Sequence, residues 1–75
     1  GEEGAGKPVA DEFLMESIYE GLREAAEAMD CDMADEIMKE IEPYAIPDSE
    51  IERFKLIREK VDMLDYEGIL DLIRS

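Results

Sequence analysis

The sequence predicts an all-α domain, an antiparallel up-down four-helix bundle made of two αα-hairpins, and three observations predict it. From Asp11 onward apolar residues recur at spacings of three and four, and no segment reads as a strand. The stretch LREAAEAMDCDMADEIM, residues 22–38, returns 35 residues later as IREKVDMLDYEGILDLI, residues 57–73, placing Arg23-Glu24 on Arg58-Glu59 and Asp30 on Asp65. The connections between the amphipathic segments are short, which makes consecutive helices antiparallel neighbours.

Residues 1–9 begin GEEGAGKP, a Gly, Glu and Pro mixture without apolar period, and are expected to form a disordered linker or chain end ahead of a single domain over 10–75. The first helix is predicted over about 11–29, with Asp11 as its cap and Leu14, Ile18, Leu22, Ala25, Ala26 and Met29 on its apolar face. Met15 and Tyr19 lie off the centre of that face and are the candidates for an exposed apolar patch. Gly21 weakens the middle of the helix by about 1 kcal/mol relative to Ala, and marks a close approach of a neighbouring helix.

Asp30 caps a second helix, about 31–42, whose face is Met33 or Ala34, Ile37, Met38 and Ile41; Pro43 and Pro47 end it, with Tyr44 and Ile46 packing under the loop. A third helix, about 49–64, has two possible caps, Asp48, or Ser49 with Glu52 at capping-box spacing. Its stripe is Ile51, Phe54, Ile57, Val61 and Leu64, with Lys55–Glu59 and Arg58–Asp62 spaced as exposed ion pairs. Asp65 caps the last helix, about 66–74, which buries Ile69, Leu72 and Ile73 and is too short to stand alone.

A chain of 75 residues buries only roughly 60% of its unfolded surface, so core is the first reading of every apolar stripe, the five methionines included. The net charge is −14, with 16 acids against 3 bases in residues 1–50 and 6 against 5 in residues 51–75. Such a surface disfavours nucleic acid and anionic membrane, whose phosphates call for clustered Lys and Arg. No apolar run approaches a membrane span and no signal peptide precedes the domain, so membrane insertion is not expected and the cytoplasm is the expected location. Cys31 is the only cysteine, which rules out an intrachain disulfide.

Histidine is absent, and with it His-based acid–base catalysis, His metal ligation and any phosphohistidine. The run Asp30, Asp32, Asp35, Glu36 is like the opening of a calcium loop, but Ala34 and Asp35 stand where a ligand and the turn glycine belong, and Ile41 where the closing Glu belongs. Asp48-Ser49 is like the prosthetic-group serine of acyl carrier proteins, yet Glu50 replaces the Leu of that motif and too little chain follows. Cys31, in the first turn of a helix, has Asp30 and Asp32 beside it to oppose a thiolate, and the repeat puts Tyr66 in its place. No catalytic, cofactor-binding or metal-ligating residue, and no cofactor, is therefore assigned, and the domain is read as noncatalytic.

The phrases LREAAEAMDCDMADEIMKEIEPYAIPDSE and IREKVDMLDYEGILDLI, with the joints at Met29–Asp32 and Leu64–Glu67 and the loop EPYAIPDS, resemble the helical C-terminal tails of large bacterial hybrid sensor histidine kinases. The likeness spans residues 10–75. It implies a histidine-phosphotransfer-like bundle lacking the phosphoacceptor His, acting as a docking or regulatory module of a two-component phosphorelay, with a protein or neighbouring domains of the same chain as partner. The alternatives are a tetratricopeptide-like helical-repeat adaptor, whose 34-residue period is close to the 35 seen here, or an oligomerisation module.

Overall fold

The structure, a computed structural model, describes residues 6–74. Residues 1–5 of the expected linker, and Ser75, lie outside the described residues. Four α-helices follow in order: α1 (Glu12–Ala28), α2 (Cys31–Ile41), α3 (Ile51–Asp62) and α4 (Tyr66–Arg74). The described chain is thus all-helical, apart from an isolated bridge between Val9 and Ala45. Helix α1 packs against α2 and α4, and α3 packs against α4 and more lightly against α2.

The 35-residue echo is reproduced bond for bond at two joints. After α1 the Met29 N–H donates to the Ala26 carbonyl at 3.2 Å and the Asp30 N–H to Ala25 at 2.8 Å; after α3 the Leu64 N–H donates to Val61 at 3.1 Å and the Asp65 N–H to Lys60 at 2.9 Å. This is the Schellman pattern, in which a left-handed residue lets two backbone donors turn back onto otherwise orphaned helix carbonyls. The left-handed residues are Met29 (φ 53°) and Leu64 (φ 58°), where glycine is the usual occupant. The next residue caps the following helix: Asp30 Oδ1 accepts from the Met33 N–H at 3.1 Å, and Asp65 Oδ1 from the Gly68 N–H at 3.0 Å. One aspartate therefore ends one helix and starts the next.

Burial follows the predicted period with its phase adjusted. Ile18, Leu22, Ala25 and Ala26 of α1, Ala34, Ile37 and Ile41 of α2, Phe54, Ile57 and Val61 of α3, and Ile69 of α4 form one core. Met15 belongs to it at 4% exposure, so it is no surface-patch residue, and Leu14, placed on the apolar face, is only half-buried. Met29 and Leu64, expected on apolar faces, are 73% and 54% exposed, because the left-handed turn swings each off the helix before its side chain reaches the core. Met63, at the end of α3, is 68% exposed, and Ile51 at 46% lies outside the α3 stripe.

Between α2 and α3, Ala45 is held by residues just ahead of α1: the Ala10 N–H donates to its carbonyl and its own N–H donates to Pro8, both at 2.9 Å. Helix α3 is approached through a 3₁₀ turn over Asp48–Glu50, opened by the Glu50 N–H donating to the Pro47 carbonyl at 2.8 Å. Neither Asp48 nor Ser49 supplies a side-chain cap to α3; the 3₁₀ turn occupies the donors that a cap would have met. The Arg58 guanidinium lies 5.4 Å from the centre of the Phe54 ring rather than pairing with Asp62.

Candidate functional site

The described surface has three features with chemical character: a polar clamp, an apolar end, and two grooves along α1. The clamp is built around Arg53 of α3. Its Nε donates to the Leu72 carbonyl at 2.9 Å and its Nη2 to the Ile73 carbonyl at 2.6 Å. These carbonyls belong to the last turn of α4, which lacks intrahelical partners and carries the negative end of the helix dipole. The same guanidinium lies 5.1 Å from the Tyr19 ring centre and 3.9 Å from Glu50 Oε1, which accepts from the Tyr19 hydroxyl at 2.6 Å. Tyr19 is thereby anchored by ring and hydroxyl together, which explains why a residue expected at the surface is half-buried. Burial, then the Glu50 carboxylate bonded to its hydroxyl, push the Tyr19 pKa well above the usual tyrosine value. The clamp ties α1, α3 and α4 together, and every group in it is engaged, so its role is architectural.

At the apolar end the two joints meet. Partial burial, with Cys31 and Asp30 beside it, raises the Tyr66 pKa. Cys31 and Tyr66 are repeat-equivalent residues, so the echo brings its own two copies together there. Met29, Met63 and Leu64, all more than half exposed, belong to these joints.

The grooves flank the outer ridge of α1, and Ser17 lines both. On the α4 side Phe13, 83% exposed, stands with Tyr19 and Ile73 among Glu16, Glu20 and Arg23. On the α2 side a groove of about 440 Å³ has Ile18, Gly21 and Ile37 at its floor, and Leu14, Met33 and Tyr44 along its sides, with Glu40 at the edge. A Cβ on Gly21 would stand 2.7 Å from Ile37 Cδ1, so the bare glycine is what lets α2 come this close. Phe13 was absent from every predicted stripe, and the one signal for it was negative: a large apolar residue at a position the helical period assigns to solvent.

The residues weighed for chemistry in the sequence are dispersed to structural tasks. Asp30 caps α2, Asp32 lies in its first turn and Asp35 and Glu36 are exposed farther along it, and among the described residues no group of three or more His, Cys, Asp or Glu side chains is arranged to hold a metal ion. Ser49 is exposed within the 3₁₀ turn, and Cys31 is an exposed free thiol. No helix among the described residues is long and apolar enough to cross a membrane. No protein-family model, curated protein or solved structure matches the chain.

Proposed function

We propose that the chain is a noncatalytic docking or regulatory module of a two-component signal-transduction protein, acting in the cytoplasm through a protein partner or neighbouring domains and not phosphorylated on histidine. The observation that carries the docking half is where its apolar side chains lie. A domain this small has little core to spare, yet Phe13, Met29, Met63 and Leu64 are each more than half exposed. The signalling half rests on the likeness of residues 10–75 to hybrid-kinase tails, and on a sequence without histidine, which leaves such a module no phosphoacceptor of its own. We read the four helices as an antiparallel up-down bundle. The packing of α1 with α2 and α4, of α3 with both α2 and α4, and the juxtaposed joints support that arrangement.

The test lies in the native reading frame and in binding. The reading expects a receiver domain and a His-bearing helical domain upstream of residue 1, and retention of at least one of them by the immobilised chain. A frame encoding neither would sink the signalling half. The repeated joint favours a second reading, a helical-repeat adaptor. Further 35-residue copies after residue 75, each with an aspartate at the position of Asp30 and Asp65, would select it.

A further inference from the structure

We infer that the groove between α1 and α2 docks a basic amphipathic helix, an assignment that rests on the docking half of the reading above and not on its signalling half. The floor is apolar, because Gly21 contributes no side chain and α2 closes onto it through Ile37. Leu14, Met33 and Tyr44 leave part of their apolar surface uncovered along the sides, so the groove accepts apolar anchors at helical spacing. Met33 adds a side chain flexible enough to fit anchors of differing shape.

Charge selects the occupant. Residues 11–42, which form this hairpin, carry 12 acids against 2 bases, and one of those bases, Arg23, is already paired with Glu20 and Glu27. Glu24 stands three residues beyond Gly21 on α1, and Glu36 stands three beyond Met33 and four before Glu40 on α2, so helical spacing makes both lips acidic. A second copy of this chain would bring like charge against like, whereas Lys and Arg flanking an apolar stripe would meet carboxylates on either side. The groove on the α4 side has Arg23 in its wall and is the weaker match to a basic partner.

The experiment uses the full chain, ¹⁵N-labelled, and a synthetic peptide of about five helical turns with Leu and Lys set at the helical period. An isomer of the same composition with its leucines spread round the helix is the control for charge alone. The amphipathic peptide is expected to bind about tenfold or more tightly than the isomer, to weaken as salt rises, and to shift the amides of Leu14, Ser17, Gly21, Met33, Ile37 and Tyr44. Ser17→Arg and Glu40→Lys, both at exposed positions, are expected to weaken it several-fold while the circular dichroism stays unchanged. Equal binding of the isomer, shifts centred on α3 and α4, or indifference to both substitutions would overturn the assignment. So would a concentration-dependent dimer broken by Ser17→Arg, which would make a second copy the occupant. If the peptide fails while upstream domains still bind, the groove is wrong and docking survives; if neither binds, both fall.

Discussion

At the scale of single residues, two large apolar side chains occupy backbone positions where glycine would be easier. Left-handed backbone costs an L-residue roughly 1–2 kcal/mol, whereas glycine adopts it freely and loses part of that gain to its looser unfolded state. Because the Met29 side chain is mostly exposed, Met29→Gly gives up little packing. It is expected to stabilise the fold by about 0.5–1 kcal/mol, seen as a higher urea midpoint at constant slope; an unchanged or lower midpoint would refute the strain argument. Tyr19 yields a pH prediction. Its folded pKa is raised, so the folded state holds the hydroxyl proton more tightly than the unfolded chain does. The resulting stability is complete below the unfolded tyrosine value of about 10 and is lost as pH rises above it. The stability gap between the native chain and Tyr19→Phe is expected to be constant from pH 7 to 9 and to shrink toward pH 11; a gap that widens there would contradict the upward shift that burial and the Glu50 carboxylate produce. The aspartate caps were legible because a cap is a local event, with Asp11, Asp30 and Asp65 each bonding an amide three residues on. The left-handed residues were not, since a Schellman turn is recognised in sequence by the glycine that Met29 and Leu64 replace.

At the scale of elements, the approach of α2 to α1 turns on one missing methyl group. Placing a Cβ at Gly21 removes the glycine penalty in a helix, about 1 kcal/mol, but drives into Ile37 Cδ1, the very atom that Ile37→Val deletes. Gly21→Ala is therefore expected to be more favourable in the Ile37→Val background than in the native one, by about 1 kcal/mol in a double-mutant cycle. Additivity within error would show that the two helices do not press together there. Helix α4 illustrates the opposite dependence. Nine residues do not sustain a helix in water, and α4 is held by its packing on α1 and α3 and by Arg53 across its last carbonyls. Helix number and order were readable because a period of 3.6 residues survives small errors of phase. The phase itself was not: one residue is 100° of rotation, enough to exchange Leu14 for Met15 in the core. The 3₁₀ entry to α3 was hidden because DSEIE offers cap chemistry that the backbone leaves unused. The clamp was equally hidden, since it joins residues 19, 50, 53 and 72–73, and no local pattern relates positions so far apart.

At the scale of the whole molecule, the two halves of the chain differ in charge. Residues 11–42 hold most of the net −14, while the second hairpin mixes acids with 5 bases over residues 48–74 and keeps two of them, Arg53 and Lys60, in internal pairs. In the up-down reading both repeat joints stand at one end and the loop carrying Tyr44–Pro47 stands at the other, one α2 length away, about 16 Å for 11 residues. Cys31, the sole cysteine and exposed, offers a place for a nitroxide label at the joint end. Paramagnetic broadening from that label tests the arrangement most directly: the amides of Leu64–Glu67 are predicted to broaden far more than those of Tyr44–Ile46, and stronger broadening of Tyr44–Ile46 would contradict the two-hairpin bundle.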